Sequence, residues 1–361
     1  MLASAYARRE MRAEPTRSQL TAPPDDDPGE PRLVELIRAE IDERGPITFA
    51  RFMERALYEP GLGYYATSRE RTTRAGDFVT APEMHPIFGG TVARAIERMR
   101  ERLGNPAAFT VREYGAGRGT LGAARPDGIN YEPVEFDSPP PAAHFTGAVL
   151  ANEFLDALPV HRVVMGADGL HELRVGWSEG RLSEVETELS DPRLADWFDR
   201  RQIRLAEGQR AEVNLAMLDW LTEIGRELER GYVLIFDYGL PATELYWPDR
   251  STGTLRAFRG QHVSGDVLGG VGHQDITAHV DLDALEDGAR DAGLDMIQRT
   301  RQAEFLLRNG FEQIYAEARK TADEDWQAAT LLRSAVTRLL DPRGMGGFAV
   351  VILGKGVPSA L

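Results

Sequence analysis

Apolar residues early in the chain recur at helical spacing. Leu33, Leu36, Ile37 and Ile41 fall between Pro31 and Gly45, which predicts an amphipathic helix opened by proline and closed by glycine. Phe49, Phe52, Met53, Ala56 and Leu57 repeat the pattern behind Thr48, a capping residue, and Pro60 stops it. A third helix is predicted over about 86–103, with Phe88, Val92, Ile96 and Met99 facing inward. The spacing then changes. Apolar runs at 109–114, 131–136, 146–151 and 232–236 predict strands, and a long helix from Val213 to Leu228, closed by Gly231, precedes the last of them. Residues 160–189 alternate apolar and polar, which predicts a small antiparallel meander. A loop-rich stretch over 241–279 precedes a helix near 283–292, a strand near 294–300, helices through about 340 and a strand at 348–353. The rhythm is that of an α/β sheet.

Composition narrows the classes. At 42% hydrophobic and 27% charged residues in a chain of 361, the protein is globular, and no apolar run reaches the roughly eighteen residues of a membrane span. A net charge of −15 argues against a nucleic-acid surface, which needs clustered Lys and Arg. The absence of cysteine excludes disulfides, thiolate zinc sites and cysteine nucleophiles. Residues 1–31 hold no apolar signal core, so a disordered tail and a cytoplasmic protein are expected.

Candidate chemistry begins at the end of the first strand. There Gly115, Gly117 and Gly119 stand at alternate positions, and without side chains they let the backbone approach a ligand closely. Glu113, just before them, suits a cationic or hydroxyl-bearing group. These features fit either a structural turn or a nucleoside-cofactor site. Glu135, near the end of the second strand, is the candidate for a ribose diol. Asn152, Glu153 and Asp156 follow the third run at a strand's carboxyl end, where open α/β sheets bind ligands, although such residues also cap helices. The histidines lack metal-ligand spacing, so no metal is expected. Tyr64, Tyr65, Phe78 and Trp247 are candidates either for a cation–π wall or for the core.

Several blocks occur together and in order: GDFVTAPE, EYGAGRGTL, VLANEFLDALPVHR, LIFDYG, TLRAFRGQH and HQDITAHVD. In this arrangement the chain resembles the MidA-like family of class I methyltransferases, which includes the mitochondrial complex I assembly-factor methyltransferase. The resemblance covers about residues 31–353. It implies a Rossmann-like sheet with an N-terminal helical region and β-rich insertions, S-adenosylmethionine as cofactor and, for the mitochondrial member, methylation of an arginine on a partner protein; the expected function is methyl transfer to an arginine of a partner such as a respiratory-complex subunit, although for bacterial members the resemblance implies no substrate. Matched position by position, it implies cofactor contacts from Glu113, Gly115, Gly117, Gly119, Glu135 and Asn152, with Ala116 where proline is usual. Glu153 and Asp156 are implied to lie beside the transferable methyl, and Asp77 and Glu83 to close over the pocket. A pair of carboxylates can clamp a guanidinium and steer its charge. Glu153 with Glu83 is the first such pair, with Asp156 and Asp77 as alternates. The expected organisation is a tail over 1–30, a helical lid region over 31–105 and a cofactor-binding domain over 106–361, with insertions at about 160–210 and 240–280. A cofactor-binding assembly protein with weak or no turnover is the alternative, and a nucleotide-dependent oxidoreductase fits the order of blocks poorly.

The chain departs from that family between residues 120 and 145. A crossover helix between parallel strands needs about ten to twelve residues. Leu121 to Asn130 allows one or two turns at most, and Asp137-Ser138-Pro139-Pro140-Pro141 offers neither helix nor strand. The sheet is therefore expected to be truncated there, either through loss of a layer or because the sequence lacks a segment.

Overall fold

The computed structural model describes residues 27–67, 80–139, 141, 144–259, 262–322 and 325–358. Helix α1 (Pro31–Arg44) buries Leu33, Ile37 and Ile41. After β1 (Ile47–Thr48), helix α2 (Phe49–Tyr58) starts where Thr48 Oγ1 accepts the Arg51 N–H at 3.1 Å. The one-turn α3 (Ala81–Met84) leads into α4 (Pro86–Arg102), whose buried stripe includes Phe88, Val92 and Ile96.

The central sheet begins with β2 (Thr110–Tyr114), the single turn α5 (Thr120–Ala123), β3 (Asn130–Val134) and β4 (Phe145–Asn152). An insertion follows, made of β5 (His161–Met165), β6 (Leu170–Ser178), β7 (Arg181–Thr187), α6 (Arg193–Asp199) and β8 (Arg210–Val213). Helix α7 (Leu215–Glu227) returns the chain to the centre as β9 (Leu228–Asp237). A second excursion holds β10 (Gly239–Leu240), α8 (Ala242–Leu245), β11 (Arg256–Arg259), β12 (His262–Ser264), β13 (Asp275–Thr277) and β14 (Val280–Asp281). The chain then continues through α9 (Leu282–Asp291), β15 (Asp295–Arg301), α10 (Gln302–Arg308), α11 (Phe311–Ala322), α12 (Trp326–Leu340) and β16 (Ala349–Lys355).

The six strands lie in the order β15-β16-β9-β4-β2-β3. β3, β2, β4 and β9 are mutually parallel, and β16 runs antiparallel between β9 and β15. Both faces are covered, as a mostly parallel sheet requires. Val149, Ala151, Val233 and Ile235 pack with Leu221 and Ile224 of α7 and Leu285 of α9. On the other face Val111, Ala148, Leu150 and Leu234 pack with α4 and with Phe305, Phe311 and Leu332 of the last helices. A third cluster joins Leu33, Ile37, Phe49 and Phe52 to Val160 and Val175 of the first insertion and to Leu255 and Ile276 of the second. The N-terminal helices thus bury their apolar stripes against both insertions.

The sheet ends at β3. No strand lies outside it among the described residues. Residues 135–144 must return past β2, about 17 Å for a five-residue strand. Extended chain of that length reaches at most about 33–36 Å, so the return needs no helix. The edge strand is held from within. Arg112, the central residue of β2, is fully buried, with ion pairs to Glu132 of β3 at 3.0 Å and Glu227 of α7 at 2.7 Å.

Two sequence expectations need correction. The helix does not run to Gly231: α7 stops at Glu227 and β9 begins at Leu228, with Gly231 inside the strand at φ 152°. A Cβ at Gly231 would stand 1.9 Å from the Gly147 carbonyl oxygen, so this glycine serves the approach of β9 to β4 and not a helix cap. The stretch over 241–279 is also more ordered than its turn-rich composition suggests. β11, β12 and β13 form a three-stranded antiparallel sheet whose strands, three or four residues long, are too short to show alternation.

Candidate active site

A cavity of about 1190 Å³ opens at the carboxyl ends of β2, β3 and β4, with α2 and α3 forming its opposite wall. Its floor is the glycine loop. Gly117 and Gly119 sit at φ 54° and 71°, and a Cβ added at either would meet no protein atom within 4 Å. Backbone conformation therefore favours glycine at both, and at Gly117, which lines the cavity, the space stays free for a ligand. Glu135, directly after β3, accepts the Gly117 N–H at 2.6 Å and ties the second strand to the loop. Burial pushes the Glu135 carboxyl up, against the pull of that N–H. Glu113 is 3% exposed and accepts the Tyr131 hydroxyl at 2.6 Å. Burial lifts its pKa to about 7, with the tyrosine bond opposing the rise.

The second part of the wall comes from the turn after β4. Asn152 ends the strand, and Glu153 takes a left-handed backbone at φ 50° with its N–H on the Phe236 carbonyl at 2.8 Å. Its carboxylate accepts the Ala81 N–H and the Asn152 side-chain amide, each at 3.2 Å. Burial raises the Glu153 pKa to about 7; the Ala81 N–H lowers it and the Asp237 carboxylate raises it further. Glu83, carried on α3, accepts the Thr120 hydroxyl at 2.7 Å. Glu83 and Glu153 therefore share the cavity wall, one attached to the start of α5 and the other to the start of α3. Asp156 is placed elsewhere: it is 5% exposed and lies behind the turn, off the wall. Burial and repulsion from Asp237, Asp275 and Glu153 hold its carboxyl well above the usual range. Asp77 falls outside the described residues, as does Phe78.

Aromatic rings complete the wall. Tyr58 and Tyr65 stack with centroids 5.5 Å apart, and Phe136 lies 5.7 Å from Tyr58 with 45% of its surface exposed. The hydroxyls are anchored, Tyr58 to the Ala157 carbonyl at 2.8 Å and Tyr65 to Asp275 at 2.9 Å. Of the aromatics singled out from sequence, Tyr65 lines the cavity, Tyr64 is buried in the core, and Trp247 is exposed away from the wall. Tyr58 and Phe136 were not singled out. Tyr58 sits off the apolar stripe of α2, and Phe136 follows Glu135 directly; adjacency to the acid expected to meet a ribose is the available signal.

The donor set decides between ligands. Glu83, Glu113, Glu135 and Glu153 all border the cavity. Arg51 and Arg55 on the same wall are paired to Glu40, Glu54 and Glu59 at 2.6–3.0 Å, and Arg118 of the glycine loop also borders the cavity, outnumbered by the acids, which include Glu54, Glu59 and Asp137. An acid-lined cleft repels a pyrophosphate and attracts a cationic nucleoside, so these residues fit S-adenosylmethionine.

Strand order, glycine loop and acids together define a class I S-adenosylmethionine-dependent methyltransferase. Comparison with known proteins agrees. A family model described as "Putative S-adenosyl-L-methionine-dependent methyltransferase" matches residues 126–300. The crystal structure of a superfamily member from Burkholderia thailandensis, bound to S-adenosyl-homocysteine, is similar at 30% identity and a TM-score of 0.83, covering 95% of this chain and 97% of that one. The chain belongs to this family, the MidA-like S-adenosylmethionine-dependent methyltransferases. Among curated relatives, the mitochondrial protein arginine methyltransferase NDUFAF7 homolog of Drosophila melanogaster is 26% identical over 92% of this chain and 87% of its own length. The Danio rerio protein arginine methyltransferase NDUFAF7, also mitochondrial, is 26% identical over 87% and 84%. These names overturn the cytoplasmic expectation: composition and a lack of cysteine do not report a compartment, and these curated relatives are named as mitochondrial proteins. No helix among the described residues is long and apolar enough to cross a membrane.

Proposed function

We propose that this methyltransferase methylates an arginine side chain of a partner protein, with Glu153 and Glu83 receiving the guanidinium. The observation that carries this reading is that the Glu153 and Glu83 carboxylates border the same cavity as the glycine loop and the stacked Tyr58 and Tyr65. Relatives named as protein arginine methyltransferases support it. When bound, S-adenosylmethionine supplies an electrophilic methyl group on sulfur. The residues then have three tasks. The aromatic wall gives the side chain a cation–π surface and excludes water. The two carboxylates accept hydrogen bonds from the guanidinium and hold its charge away from the attacking nitrogen. That nitrogen loses one proton as its new N–C bond replaces the methyl's bond to sulfur, whose electron pair stays on the departing thioether, and Glu153, raised by burial to about 7, is the base suited to take the proton.

The test is incubation with methyl-tritiated cofactor and extract proteins, followed by acid hydrolysis and amino-acid analysis. Tritiated methylarginine is expected. Label released as a base-labile ester, or carried on lysine alone, would refute the arginine reading.

A further inference from the structure

One buried carboxylate next to the site has no part in the reaction described. Asp237, the last residue of β9, is 1% exposed and off the cavity wall. Its partners are backbone N–H groups on two segments. Oδ2 accepts from Leu155 at 2.8 Å and from Phe154 at 3.3 Å, and Oδ1 accepts from Tyr238 at 2.8 Å. Glu153, directly before Phe154, holds its left-handed backbone and donates its N–H to Phe236, directly before Asp237. A left-handed non-glycine residue persists only where its surroundings over-determine it. Here the Phe236 carbonyl and the Asp237 carboxylate do so from the neighbouring strand.

We propose that Asp237 is a positioning residue for methyl transfer, bracing the joint between β4 and β9 so that Glu153 points into the cavity. The inference rests on the reading of Glu153 as the acid that receives the guanidinium. A carboxylate is required because both oxygens accept hydrogen bonds. An asparagine offers one acceptor and one donor, so either Tyr238 or the Phe154–Leu155 pair loses its partner. The brace also reaches the lid. Glu153 holds the first N–H of α3, and α3 carries Glu83, whose carboxylate is bonded to Thr120 beside the glycine loop. Release of the turn at Asp237 therefore disturbs both members of the pair, while Glu113, Glu135 and the glycines keep their own contacts.

The test compares Asp237→Asn, Glu153→Ala and Glu153→Gln. In Glu153→Ala, hydrogen exchange accelerates at the Ala81 amide and stays slow at Phe154 and Leu155. In Asp237→Asn it accelerates at all three. S-adenosylhomocysteine affinity of Asp237→Asn stays within about threefold of wild type, methylarginine formation falls about a hundredfold, and the double variant with Glu153→Gln loses little more, as expected for residues acting as a unit. Slow exchange at Ala81 in Asp237→Asn, with transfer near wild type, would overturn the proposal. So would a variant in which cofactor binding and protection throughout the sheet are lost together, which would make Asp237 a general support of the fold. A wild-type enzyme that makes no methylarginine would sink the arginine reading instead, and the exchange pattern alone would then decide whether Asp237 is the brace.

Discussion

Glu113 offers a quantitative check on cofactor binding. Its pKa of about 7 in the free protein means that it is roughly nine-tenths protonated at pH 6 and one-tenth at pH 8. A cationic ligand group gains only from the ionised form. The apparent Kd for S-adenosylhomocysteine, which keeps the α-amino cation, should therefore fall about tenfold between pH 6 and pH 8, or about 1.4 kcal/mol. Tyr131→Phe removes the hydroxyl that donates to Glu113 at 2.6 Å. Hydrogen bonds to charged groups are worth about 1.5–3 kcal/mol, so this change should lift the midpoint by about one to two pH units and weaken binding at neutrality. Glu113→Gln should flatten the profile. Isothermal calorimetry across pH 6–9, in buffers of different ionisation enthalpy, reads both the affinity and the protons released. A flat wild-type profile, or an unmoved midpoint in Tyr131→Phe, would refute the reasoning.

Three further outcomes follow from the same contacts. Glu113, Glu153 and Asp237 each hold a proton more tightly folded than unfolded, so the free protein should lose stability as pH rises from about 4.5 to about 7, read as a falling Tm, and Glu153→Gln should lessen the fall. Arg112→Ala takes the 2.7 Å partner from buried Glu227, leaving it only the 3.7 Å pair with exposed Arg226, and should cost about 3–5 kcal/mol in denaturant unfolding, a loss that Glu227→Gln in the same chain should partly restore. Gly117→Ala meets no protein atom and should cost only about 1–2 kcal/mol of stability through its positive φ. Binding of S-adenosylhomocysteine should nevertheless fall at least about tenfold, because the methyl group projects into space the ligand needs; unchanged affinity would place the cofactor elsewhere.

Features carried by local spacing were legible in the sequence. The apolar stripes of α1, α2 and α4, the runs that became β2, β4 and β9, and the shortage of residues between Thr120 and Phe145 all report on neighbours a few positions away. The six-stranded sheet ending at β3 matches the truncation expected from that shortage. Features set by distant contacts were not legible. Gly231 read as a helix cap because its reason, the Gly147 carbonyl, is far away in sequence. The strands within 241–279 exist through pairing with one another and packing on α1 and α2. At the site, the spacing of Glu83 and Glu153 gives no sign that the turn after β4 and the helix α3 meet at the Ala81 amide. Asp156 reads in the sequence as an alternate to Glu153, yet Glu153, at the left-handed turn, lines the cavity and Asp156 lies off it.

An acid-lined cavity at the ends of β2, β3 and β4 should hold a sulfonium nucleoside although the sheet ends at β3. Calorimetric titration of the purified protein with S-adenosylhomocysteine and with NAD, beside Glu135→Ala, tests it most directly. One site for S-adenosylhomocysteine, weakened in Glu135→Ala, and no heat from NAD are expected. Binding of NAD, or no binding of S-adenosylhomocysteine by the wild-type chain, would contradict it.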